Sequence, residues 1–115
     1  MFEYRATVER VVDGDTVDVD IDLGFEVHIK ARVRLYGIDT PEVRTRDLEE
    51  KERGIAASNR LKELIKERNL ILASEKFNSK GKYGRILATL LIETSQGRQN
   101  VNEILLEEGH AEIYR

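Results

Sequence analysis

A chain of 115 residues has room for one domain with a single modest core, and 40% apolar with 36% charged residues is the composition of a soluble globular protein. No stretch approaches the apolar length that spans a bilayer, and the absence of cysteine excludes disulfides and thiolate metal sites. A net charge of −3 argues against binding nucleic acid through bulk electrostatics, while leaving room for a local basic patch. The first five residues, MFEYR, run straight into strand-like sequence without the apolar core of a signal peptide. A cytoplasmic location is therefore expected unless a leader has been removed.

Residues 4–12 mix β-branched and polar side chains, which predicts a first strand. Asp13 and Gly14 then form an Asp-Gly pair between two apolar runs, a strong tight-turn signal. Val17, Val19 and Ile21 alternate with Asp18, Asp20 and Asp22, so period two places the apolar set on one face and the aspartates on the other. A half-buried strand with a solvated face is the favoured reading, and an extended cation site the alternative. Leu23, Gly24 and Phe25 read as the turn into a third strand over 26–36, with Val33, Leu35 and Ala31 facing the core.

A charged run after Glu42 leads into a helix whose start is open between an Asp47/Glu50 capping box and a later beginning near Gly54. Ala57, Leu61, Leu64 and Ile65 form its buried stripe, and Asn69 is a stop signal. A fourth strand is expected over 70–73, a loop over 77–83, and a central strand over 86–92. Asn100, three residues before Glu103, predicts the cap of a short helix that buries Val101, Ile104 and Leu105 and ends at Gly109.

The segment RLYGIDTPE at 34–42 carries the chemistry. A strand pattern ends there in a turn preset by Pro41, which fixes its own φ and pushes Thr40 away from helical geometry. Asp39, the Thr40 carbonyl and Glu42 can converge on one side, which suits a hard divalent cation. An arginine beside such a group suits a phosphate. Alone, the segment is equally an ordinary strand end with an Asp/Thr/Pro turn.

Three strands, a helix, two strands and a helix predict an α+β, mainly β chain folded as one OB-type domain over 1–115, a five-stranded antiparallel barrel with two helices. Four fragments in order, VDGDTV at 12–17, RLYGIDTPE at 34–42, KYGR at 82–85 and VNE at 101–103, make the chain resemble the staphylococcal nuclease (thermonuclease) family. The resemblance implies a calcium-dependent nuclease that hydrolyses DNA and RNA with little sequence preference and leaves 3′-phosphate ends. It assigns Asp15, Asp39 and the Thr40 carbonyl to Ca2+, Glu42 to the base that activates water, and Arg34 and Arg85 to the scissile phosphate. Lys82 and Tyr83 match positions beside the bound nucleotide and read equally well as loop residues. Asp13 is expected either behind the ligands or simply shaping the turn, and His28 and His110 match no catalytic position.

The resemblance further implies single-stranded or unstructured DNA and RNA as substrate, and no membrane or protein partner is evident, so a monomer is expected. The hairpin between Asp15 and Arg34 is longer than in the family's secreted prototype. With no cation bound, Asp15, Asp39 and Glu42 are expected to repel one another. A non-catalytic OB-fold module that binds nucleic acid or protein is the alternative function, marked in such domains by loss of catalytic residues. A calcium-sensing protein would explain the carboxylates but not Arg34 and Arg85.

Overall fold

The computed structural model describes residues 2–66, 70–78 and 85–114. Three strands come first, β1 over Phe2–Asp13, β2 over Thr16–Asp22 and β3 over His28–Leu35, followed by the two-residue β4 at Ile38–Asp39. Helix α1 spans Leu48–Ile65, and then come β5 at Leu70–Asn78, β6 at Arg85–Thr94 and β7 at Gly97–Asn100. Helix α2 at Val101–Glu107 and β8 at Glu112–Ile113 complete the order.

The sheet order β3-β2-β1-β5-β6 closes on itself because β3 also pairs with β6, giving a five-stranded barrel with β7 added beside β6. The closing pair is parallel, Val33 opposite Ile86 and Leu35 opposite Ala88, whereas the other barrel seams are antiparallel. A parallel seam needs a long crossover, and α1 with β5 supplies it. Strand β1 serves two neighbours, and its register slips between Val8 and Arg10 and again between Val11 and Asp13. Such bulges add local twist and let one long strand curl around a small barrel.

The alternation in β2 is realised as predicted, with Val17, Val19 and Ile21 buried. The aspartates on the other face find partners at the surface: Arg32 pairs with Asp18 at 2.9 Å, the His28 ring hydrogen-bonds with Asp20 at 3.0 Å, and Asp22 accepts from the Gly24 amide at 2.8 Å. That settles this face as solvated and ion-paired. Val33 and Leu35 join the core, which Leu61, Leu64 and Ile65 of α1 and Val101 and Leu105 of α2 complete.

Helix α1 begins after Asp47, whose carboxylate accepts from the Glu49 and Glu50 amides at 3.1 and 3.2 Å. The earlier of the two possible starts is therefore the real one. Strand β5 runs to Asn78, beyond the expected end at 73, because β6 offers it partners as far as Asn78 opposite Arg85. Residues 77 and 78, expected in a loop, are thus strand, and the rest of that expected loop lies outside the described residues, as does Asn69. The pairing of β4 with β8 escaped the sequence, since two residues are too few to show a period.

Asn102 ties the two helical and sheet layers together. It is buried, its Oδ1 accepts from the Leu90 amide at 3.1 Å, and its Nδ2 donates to the carbonyls of Tyr36 at 3.0 Å and Ala88 at 3.3 Å. Removing the amide leaves the buried Leu90 N–H without this acceptor and the Tyr36 carbonyl without this donor, while the Ala88 carbonyl still accepts from the Tyr36 amide at 2.8 Å. Asn102→Ala is therefore expected to lose about 3 kcal/mol of unfolding free energy. Urea denaturation measures it, and a loss below about 1 kcal/mol would mean water replaces the side chain.

Candidate active site

The site is built where the β1–β2 turn, the end of β3 and the segment after β4 meet. Asp15 sits in the turn with 4% of its surface exposed. Its backbone carbonyl accepts from the Leu35 amide at 2.8 Å, which fastens the turn to β3. Its Oδ2 accepts from the Thr40 amide at 3.1 Å and lies 3.0 Å from Arg34 Nη1, and its Oδ1 accepts from the Thr16 hydroxyl at 2.9 Å.

Arg34 alternates outward between buried Val33 and Leu35. Its Nη2 donates to the Ile38 carbonyl at 3.2 Å and to Asp39 Oδ1 at 3.3 Å, so one guanidinium links both expected metal-binding carboxylates. Its guanidinium carbon lies over the Tyr114 ring, 5.2 Å from the ring centre. Burial alone would lower the Arg34 pKa, but the charges of Asp15 and Asp39 outweigh it and hold the group above its ordinary value.

Arg85 is the exposed first residue of β6. Because Arg34 is aligned with Leu87, strand alternation puts Arg85 on the same outer face, two residues before Leu87. Strand spacing and rise then separate the two backbones by about 8 Å, within reach of two long side chains converging on one phosphate. Thr40 is buried, and Asp39 and Glu42 are exposed around it. Lys82 and Tyr83 lie outside the described residues.

Two glycines were missed as site residues. A Cβ on Gly54 would come within 2.7 Å of both the Pro41 and Glu42 carbonyls, so this turn of α1 is the seat on which the Glu42 loop rests. A Cβ on Gly14 would come within 2.8 Å of Ala57 Cβ and 2.9 Å of Thr40 Oγ1. The signal for Gly54 is a glycine inside a helical pattern, which by sequence leaves the helix start open between Asp47 and this position.

The donor set fits a hard cation: two carboxylates, Asp15 and Asp39, and the Thr40 carbonyl are all oxygens. The Thr40 hydroxyl is buried beside them without a hydrogen-bond partner among the described residues. Among the described residues, however, no three acidic or imidazole side chains gather into a metal-ready group. The expected crowding of Asp15, Asp39 and Glu42 is thus replaced by a different arrangement, in which Arg34 lies between the first two. The tip of the long hairpin lies at Asp22 and His28, six pairs along from Thr16 and Arg34, and so about 20 Å from the site. A cleft of about 680 Å³ between β1 and the end of α1 is lined by none of the expected site residues.

A family model described as staphylococcal nuclease homologue matches residues 32–115. The chain belongs to the staphylococcal nuclease family. It is 38% identical over 104 residues to a thermonuclease of Staphylococcus intermedius, a match covering 90% of this chain and 56% of that protein. It is 36% identical over 107 residues to the SPbeta prophage-derived endonuclease YokF of Bacillus subtilis, covering 93% of this chain and 33% of the relative. An uncharacterized protein of Methanocaldococcus jannaschii is 32% identical over 128 residues, covering 96% of this chain and 59% of its own. The chain thus spans about a third to three-fifths of the length of these relatives.

In this member of the family the repulsion falls on Asp13 and Asp15. Burial raises the Asp15 pKa, but hydrogen bonds from Asp13 and the Thr40 amide and the charge of Arg34 more than reverse this, leaving it below the ordinary value. Asp13 takes the consequence: burial, a proton shared toward Asp15 and the Asp15 charge push it up to about 6. Folded protein therefore holds the Asp13 proton more tightly than unfolded protein, so the contribution of Asp13 to stability falls as pH rises from about 4 to about 6 and then levels off. Asp13→Asn keeps the oxygen that accepts from the Asp15 amide at 3.2 Å and removes the charge. In chelator at pH 7 it is expected to be more stable than wild type by about 1 kcal/mol, after discounting for the half-exposed position. Asp15→Asn would also relieve this repulsion but deprives Arg34 of its buried counter-charge, so Asp13→Asn is the clean test. Urea melts from pH 4 to 7 decide it, and a wild-type-like pH profile in Asp13→Asn would remove Asp13 as the source.

Proposed function

We propose that the chain hydrolyses phosphodiester bonds in DNA and RNA, with calcium held by Asp15, Asp39 and the Thr40 carbonyl. The observation that carries this reading is the placement of Arg34, anchored on both carboxylates, on the same strand face as Arg85. The endonuclease and thermonuclease names of the relatives support the same reaction class.

A phosphodiester anion repels nucleophiles, so its equatorial oxygens must be neutralised and a water must lose a proton as it attacks. Bound calcium would supply positive charge against those oxygens and make a coordinated water more acidic. Arg34 and Arg85 donate from two sides, and their planar forks match paired phosphate oxygens. The Arg34 Nη2 bonds to Ile38 and Asp39, at 3.2 and 3.3 Å, are long enough to be exchanged for a phosphate oxygen without losing the shorter Asp15 anchor. Glu42, exposed on the rim of the Pro41 loop, takes the water proton. Family resemblance assigns the 5′-oxygen as leaving group, which leaves a 3′-phosphate.

Contacts to phosphate read no bases, so cleavage should show little sequence preference, with extended single strands offering the phosphates most freely. Lys82 and Tyr83 are proposed to flank the nucleotide. Single-stranded DNA and RNA incubated with the protein in calcium are expected to be cut to fragments ending in 3′-phosphate, and chelator is expected to stop the reaction. Folded, calcium-supplied protein that binds such strands without cutting them would favour the non-catalytic binding module instead.

Arg34→Lys and Arg85→Lys keep the charge but lose the fork. Each is expected to reduce kcat on the order of a hundredfold, as for removal of one transition-state donor. Near-normal turnover in both, with folding checked by circular dichroism, would make the two arginines structural.

A further inference from the structure

We propose that Tyr114 is a positioning residue for Arg34, holding the guanidinium plane in the orientation that phosphate requires; this rests on the nuclease reading above. Among the described residues, the polar partners of Arg34 are Asp15 at Nη1, and the Ile38 carbonyl and Asp39 at Nη2. A phosphate entering that fork must displace one or both Nη2 bonds, which loosens the edge at the step where orientation matters. The Tyr114 ring is met by the guanidinium carbon, 5.2 Å from the ring centre, a contact separate from the Nη1 and Nη2 hydrogen bonds that an anion would take over.

The fold delivers this ring deliberately. After α2 the chain reverses at Gly109, whose φ of +79° suits glycine, and the amides of His110 and Ala111 bond back to the Leu105 carbonyl. Strand β8 then pairs with β4, Ile113 opposite Ile38 and Glu112 opposite Asp39. The Tyr114 amide donates to the Gly37 carbonyl at 2.9 Å, which fixes the backbone directly beside the β3–β4 turn. Tyr114 itself remains 58% exposed, so packing into the core is not what holds it there. One short ladder thereby places both Asp39, at Nη2, and the Tyr114 ring, beneath the guanidinium carbon, against Arg34.

The test uses the full chain with Tyr114→Phe and Tyr114→Leu, each in the wild-type and Arg34→Lys backgrounds. On single-stranded DNA with calcium, Tyr114→Leu is expected to lower kcat on the order of tenfold, and Tyr114→Phe, which keeps the ring, to retain most of it. KM should change by less than about twofold, since the ring orients an existing contact. In the Arg34→Lys background the further effect of Tyr114→Leu should largely vanish. Independently of activity, the Arg34 Nε–H resonance should lose its ring-current shift and become more mobile in Tyr114→Leu but not in Tyr114→Phe.

A kcat unchanged in Tyr114→Leu, a loss undiminished in the Arg34→Lys background, or an effect on KM alone would overturn the proposal. An Arg34 resonance insensitive to Tyr114→Leu would overturn it as well. If wild-type protein cleaves nothing, the nuclease reading fails while the resonance comparison still decides whether Tyr114 holds Arg34.

Discussion

A charged carboxylate taken out of water costs several kcal/mol unless every lone pair finds a donor. Asp15 meets that demand with the Thr16 hydroxyl, the Thr40 amide and the Arg34 guanidinium, drawn from three separate stretches of chain. Its own backbone carbonyl adds the Leu35 amide. The need to satisfy one buried charge thus fixes the β1–β2 turn against the end of β3 and draws the segment after β4 onto both. Arg34 in turn reaches Asp39, so the functional groups are assembled as a consequence of neutralising Asp15.

The helix takes part through what it lacks. Glycine inside a helix costs about 1 kcal/mol relative to alanine. Gly54 is kept at such a position because the Pro41 and Glu42 carbonyls occupy the space a side chain would fill. Gly14 makes the same concession toward Ala57 and Thr40. Both close approaches lie beneath the loop carrying Glu42, so Glu42 is seated on a capped, core-anchored helix. Asn102 extends this support from behind, since its amide binds the carbonyls of Tyr36 and Ala88, next to the turn that leads into β4.

The acidic balance of the chain says little about the site. Many cations elsewhere are matched locally: Arg32 with Asp18, Lys30 with Glu9, Arg60 with Glu63 and Glu108, and Arg98 with Glu3. Exposed pairs of this kind contribute at most about 1 kcal/mol each, and they offset one another in the far field. What a phosphate would meet is the short-range field of Arg34 and Arg85 on one barrel face. A net charge of −3 is compatible with that, because screening limits distant surface carboxylates to about a Debye length.

Local rules were enough wherever one element's own residues decide its form. The period-two run of β2, the stripe Ala57, Leu61, Leu64 and Ile65, and the Asn100 cap could all be read from neighbours a few residues apart. The site motif was legible for the same reason: Asp39, Thr40, Pro41 and Glu42 are adjacent, and Pro41 restricts their backbone. The start of α1 was not, because Asp47 and Gly54 both carry boundary signals, and only the packing of Gly54 under Glu42 removes the second. Nor was the charge balance, since Arg34 neutralises Asp15 and Asp39 only after the strands align, and that leaves Asp13, beside Asp15, to bear the repulsion. The parallel β3–β6 seam, the β4–β8 ladder and the Tyr114 contact pair residues dozens of positions apart, so no local period announces them. Sequence alone determined which groups are present and which local forms they take; tertiary structure decided which charges meet, because Coulomb and hydrogen-bond energies depend on distances that only closing the barrel sets.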